Sequence, residues 1–106
     1  MIVYNVTCKV DHSIAVAWLS WMKQEHIAEV VGTGCFTHAN IFHLFEADDE
    51  EGITYVVQYH AKDPSLYNQY LSQHAEQMRK KAIDKWGNKA GGEQKKASST
   101  PKVNYK

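Results

Sequence analysis

The chain has 106 residues, room for a single domain, and its 43% hydrophobic and 23% charged residues suit an ordinary folded protein. Two cysteines, Cys8 and Cys35, exclude a disulfide scaffold, and no apolar run approaches the roughly 18 residues that cross a bilayer. The formal net charge is zero but unevenly placed: residues 1–78 hold three Lys/Arg against ten Asp/Glu, and residues 79–106 hold nine against two.

The opening MIVYNVTCKV lacks a basic n-region and a cleavage site, so a cytoplasmic location with reduced thiols is expected. Ile2, Tyr4, Val6, Cys8 and Val10 alternate with Val3, Asn5, Thr7 and Lys9, which predicts a strand with one apolar and one mixed face. Asp11 and Ser13 offer N-caps for a helix beginning near Ile14. Ile14, Trp18, Trp21, Met22, Val30 and Val31 mark its apolar stripe, and Gly32-Thr33-Gly34 ends it. These glycines follow a helix and lack a third partner, so they are no dinucleotide fingerprint.

Phe36–Phe45 and Ile53–Ala61 read as the second and third strands. The acidic loop between them, Glu46 to Gly52, lacks the alternating oxygen ligands of a calcium loop and reads as a solvated turn. Asp63-Pro64 is a helix start, with an N-cap followed by proline at the first helical position. Tyr67, Tyr70, Ala75, Met78, Ala82 and Trp86, with Leu66 and Leu71, supply the buried face of this second helix, and Gly87 closes it. Residues 88–100 hold almost nothing apolar, which predicts a flexible, dispensable segment. Val103 and Tyr105 hint at a short strand beyond it.

The order is β-α-β-β-α(β) in an α+β class. It predicts a ferredoxin-like sandwich over 1–87, an antiparallel sheet with two helices on one face, and a basic tail over 88–106. In that arrangement the first and third strands are central neighbours. The face away from the helices needs a cover, and the sheet of a second copy is the simplest one, which predicts a homodimer.

Several segments carry a family likeness. Ile2 to Thr7, Trp18-Leu19-Ser20-Trp21-Met22 running to His26-Ile27, Thr33-Gly34-Cys35-Phe36, Gly52-Ile53-Thr54-Tyr55 to Gln58-Tyr59, and Tyr70-Leu71 to His74-Ala75 resemble the domain-of-unknown-function family 4286. The resemblance covers roughly residues 1–87 and implies a small bacterial protein with a dimeric α/β-barrel type of fold and no established activity. Two departures stand out. Ala28 occupies the place where the family usually has proline, and a polar, basic tail replaces the family's apolar fourth strand.

The six histidines show no H-E-x-x-H or comparable ligand spacing, so neither a metal nor another cofactor is expected. His38 and His43 are five apart and point to opposite faces of one strand. His26 and His74 each fall on a stripe otherwise given to the core. Each is either a buried, hydrogen-bonded histidine or one facing a pocket at the open end of the sheet, where it acts as acid, base or ligand anchor.

If the apolar parity packs on the helices, Asn5, Thr7, Thr54, Gln58 and His60 turn to the uncovered side. That mixed face suits a pocket enclosed by two sheets, or a wet dimer interface. Should the parity be reversed, Tyr4, Tyr55 and Tyr59 take the pocket role. The candidate ligand-binding set is therefore His26, Asn5, Thr7, Gln58, His60 and His74.

Two functions follow as expectations. One is a homodimeric small-molecule-binding or accessory protein. The other, by fold-level analogy, is a cofactor-independent monooxygenase- or isomerase-like enzyme. Nucleic-acid binding is disfavoured because residues 79–106 lack interleaved aromatics.

Overall fold

The computed structural model describes residues 1–45 and 49–90, together with the backbone of 102–103. Three antiparallel strands form its sheet, β1 (Ile2–Val10), β2 (His38–His43) and β3 (Ile53–Ala61). A two-residue strand, β4 (Lys102–Val103), lies along β1, giving the order β2-β3-β1-β4. β1 and β3 pair along their whole length, from Ile2 opposite Ala61 to Val10 opposite Ile53. Because side chains alternate, this register puts the even positions of β1 and the odd positions of β3 on one face. The helices cover that face, so of the two parities that the alternation leaves open the apolar one packs inward. The expected second strand is shorter than Phe36–Phe45. Phe36 turns into the core before the strand begins, and Phe45 is exposed.

Asp11 opens the first helical stretch: its Oδ1 accepts from the Ser13 amide at 2.8 Å and the Ser13 hydroxyl at 2.6 Å. After a 3₁₀ turn at His12–Ile14 come α1 (Ala15–Trp21), a π-helical turn at Met22–His26, and α2 (Ile27–Val31). The second stretch was expected as one helix and is two, α3 (Pro64–Gln73) and α4 (Ala75–Trp86). They join at His74, whose φ of −129° departs from helical geometry. Asp63 caps α3, its side chain accepting from the Leu66 amide at 3.1 Å. Gly87 ends α4 at φ +62° and ψ −138°, a conformation that side chains strongly disfavour. Leu71, expected in the core, is exposed.

The core has two parts. Trp18 is fully buried against Tyr55, with ring centroids 5.2 Å apart. Towards the other end, Tyr4, Phe36, Tyr59, Tyr67 and Tyr70 form an aromatic cluster whose centroids lie 4.9–6.2 Å apart. Contacts of this kind contribute about 0.5–1.5 kcal/mol each beyond simple burial. The packed body does not stop at Gly87. The Lys89 carbonyl accepts from the Asp11 amide at 2.7 Å, and Ala90 is 1% exposed. Of the expected tail, residues 91–100 and Tyr105 lie outside the described residues. Among the described residues no helix is long and apolar enough to cross a membrane.

Candidate functional site

Two places gather the chemistry-bearing side chains, and they lie on opposite sides of the sheet. The first is a cavity of about 50 Å³ between the helices and the inner face of β1. Tyr4 and Cys8 come from β1 and Tyr59 from β3, His26 comes from the π-turn, and Tyr70 and Arg79 come from α3 and α4. Met22, Val30 and Met78 supply much of the apolar remainder.

His26 owes its place to the π-turn. In an α-helix, residues five apart diverge by well over a quarter turn, whereas the wider π-turn brings them nearly into line. Trp21 and His26 are five apart, and their rings stack at 4.5 Å and 21°. His26 is 8% exposed, and its Nδ1 is buried without a hydrogen-bond partner. Burial lowers its pKa to about 4, opposed by the Glu29 carboxylate and assisted by the Lys81 ammonium. Glu29 Oε1 stands 3.9 Å from Nδ1, while Glu29 Oε2 pairs with Lys81 at 2.9 Å. At neutral pH His26 is therefore a neutral imidazole in a nearly dry wall.

The tyrosines carry protons across the whole physiological range. Burial raises the pKa of Tyr4, Tyr59 and Tyr70, and the Arg79 guanidinium partly offsets this for Tyr4 and Tyr70. Arg79, Tyr4 and Tyr70 all line this cavity. These groups can donate hydrogen bonds to something in the cavity; none of them is poised as a base.

The second place is the sheet face away from the helices. Its strands align side chains in rows: Phe42, Val56 and Thr7; then Asn40, Gln58 and Asn5; then His38, His60 and Val3. The imidazoles of His38 and His60 stack at 4.2 Å and 7°. Asn40 Nδ2 lies 3.4 Å from His60 Nε2, and Thr37 Oγ1 lies 2.9 Å from His38 Nδ1. Burial, and then the neighbouring His38, lower the His60 pKa. Asn5 Oδ1 and His60 Nδ1 are buried without partners.

The candidate residues thus divide. Asn5, Thr7, Gln58 and His60 share the outer sheet face, whereas His26 lines the inner cavity. His74 does neither: it sits at the α3–α4 junction with its ring against Tyr70 at 6.2 Å. Among the described residues no three His, Cys, Asp or Glu side chains converge as metal ligands. The acidic loop is tied down at one point, since Asp49 meets His43 Nε2 at 3.2 Å and its carbonyl lies 2.6 Å from His12 Nε2. Residues 46–48 of that loop lie outside the described residues. Arg79 was not singled out in the sequence. The available signal was its being the only arginine among twelve basic residues, next to Met78 on the buried stripe.

A family model described as Domain of unknown function (DUF4286) matches residues 1–96. The chain belongs to that family. No curated protein and no solved structure matches the chain. The DUF4286 match runs past Gly87 and takes in Lys89 and Ala90, the residues that close the body against Asp11. The segments that carry the DUF4286 resemblance also converge in space: Tyr4, Met22, His26, Tyr59, Tyr70 and Ala75 all border the inner cavity.

Proposed function

We propose that the protein is a ferredoxin-like protomer of a homodimer whose facing sheets enclose a cleft for a small organic ligand. The observation that carries this reading is the composition of the outer sheet face. Phe42 is 50% exposed beside Val56 at one end, the amide row of Asn5, Gln58 and Asn40 crosses the middle, and the histidine pair closes the other end. Thr7, Val56 and Gln58 on this face are half-buried, whereas Val3 and Thr54 are buried. An apolar pair beside a row of amides suits a partly wet interface that holds a ligand at its centre.

Sedimentation at micromolar concentration tests the dimer. The wild-type chain is expected to run as a dimer and Val56→Glu as a monomer, since the substitution places a charge between Phe42 and Thr7 on that face. A wild-type monomer insensitive to Val56→Glu overturns the reading. Native mass spectrometry of the purified dimer tests the ligand, with a co-purified organic molecule as the expected result. The neutral His60 beside three amides favours one second reading, a cofactor-independent enzyme of the dimeric α/β-barrel type with His60 as its proton acceptor. Turnover of the co-purified ligand that His60→Gln abolishes is its signature.

A further inference from the structure

The inner cavity is independent of the outer face, and its lining has a one-sided character. Among the described residues Arg79 is the only permanently charged one in its lining, and no carboxylate lines it. The neighbouring basic residues of α4 are otherwise engaged: Lys80 pairs with Asp84 at 3.0 Å and Lys81 with Glu29 at 2.9 Å. Among the described residues no carboxylate pairs with Arg79. Glu29, the nearest acid to His26, is held by Lys81 and is not part of the lining. Arg79 instead shares the lining with Tyr4 and Tyr70, whose hydroxyls keep their protons.

We infer that this cavity binds the head of a small aliphatic carboxylate, seated on Arg79 with the Tyr4 and Tyr70 hydroxyls donating to it. Charge sets the sign of the ligand, because a donor-rich site whose described lining holds one cation and no carboxylate lacks only an anion. Geometry sets the class. The flat guanidinium fork matches a carboxylate through two parallel hydrogen bonds. A doubly charged tetrahedral phosphate would leave much of its charge unmet by a single cation. Size sets the rest. About 50 Å³ holds a water or two, or a carboxylate with a short alkyl stub. Met22, Val30 and Met78 give that stub an apolar floor. Arg79 is exposed while lining the cavity, so the mouth is on its side and the ligand enters past it. Neutral His26 forms part of the wall, adding no charge of its own.

The test uses propionate as the probe, with propionamide as its neutral isostere, followed by side-chain NMR of the full chain at constant ionic strength. Propionate is expected to shift the Arg79 Nε and His26 ring signals saturably, at a dissociation constant on the order of millimolar. Propionamide is expected to leave both unchanged. Arg79→Gln, a substitution at an exposed helix position, should keep the melting temperature and weaken propionate binding by roughly tenfold or more. Arg79→Lys, which keeps the charge but loses the fork, should fall between. Equal effects of propionate and propionamide overturn the inference, as do unsaturable shifts confined to surface lysines or unchanged binding by Arg79→Gln. Should Arg79→Gln fail to fold, the comparison of the two probes on the wild-type chain decides alone. A monomeric protein that still binds propionate removes the proposed dimer and leaves this site standing.

Discussion

Lowering the pH should unfold this protein chiefly through His26, and the amount follows from its surroundings. The imidazole is 8% exposed and its pKa is depressed from 6.5 to about 4 by burial. The folded state thus favours the neutral ring, and between those two values the unfolded chain binds more protons. Stability is therefore complete above pH 6.5 and is lost as the pH falls towards 4. Integrating this one group gives a loss of about 2 kcal/mol by pH 5 and about 3 kcal/mol by pH 4. The assay is urea denaturation across that range for the wild-type chain and for His26→Phe, which keeps a ring against Trp21 and cannot ionise. Asp11 and Asp63, whose pKa values are lowered by hydrogen bonds from Ser13 and Ser65, also lose stability in acid. They do so equally in both proteins, so the difference between the two curves belongs to His26. Parallel curves would refute the reasoning, because a histidine that charges without penalty is not enclosed as described.

Two further substitutions probe the frame around the cavity. Gly52→Ala should destabilise by about 2 kcal/mol in the same urea assay, since its new Cβ would stand 2.6 Å from the Val10 carbonyl oxygen and push β3 off β1. Ala90→Asp should lower the melting temperature by several degrees, because Ala90 is buried beside the Lys89–Asp11 hydrogen bond and an unpaired carboxylate there has no partner. An unchanged melting temperature would instead fit a domain that ends at Gly87.

Strictly local physics made part of this legible from the sequence. β1 and β3 announce themselves because every second residue is apolar, but which parity faces the helices, and with it the side of Tyr4, Tyr55 and Tyr59, needs the fold. Asp63-Pro64 marks the start of α3 because cap and ring geometry involve only neighbours. The π-turn at Met22–His26 escapes a reading at 3.6 residues per turn, since Met22, His26 and Val30 fit an α stripe equally well. The five-residue spacing of Trp21 and His26 was its one trace. Phe36 opens a run that reads as strand to Phe45, yet it is drawn into the ring cluster around Tyr4 by contacts distant in sequence. The cavity was not legible at all. It exists only because helices from both halves of the chain cross β1, and Arg79 joins it from a stretch that otherwise reads as a solvated basic face.

The histidine pair on the outer face leads to a last prediction, one that joins the sheet to the proposed dimer. His38 and His60 lie flat against each other at 4.2 Å, and both sit in the row that the facing sheet would cover. The His60 pKa is held below its ordinary value, first by burial and then by the charge of His38. Among the described residues no carboxylate hydrogen-bonds to either ring, and Lys9 is a further cationic group on the same face. Above the ordinary histidine pKa the His60 ring is neutral, since its own pKa lies lower still. As the pH falls, charge accumulates on a face that the dimer must desolvate, and a two-fold axis brings a second such pair towards the first. Dimer affinity should therefore be highest near about pH 7.5 and should weaken steeply by about pH 5.5. His60→Gln removes one ionisable ring and keeps a neighbour for Asn40, so it should hold the dimer together at the lower pH. Sedimentation of both proteins at the two pH values reads this directly. Wild-type dimer that persists unchanged at the lower pH would show that the histidine row is not enclosed. Dissociation of His60→Gln in step with the wild type would move the acid-sensitive contact away from this pair.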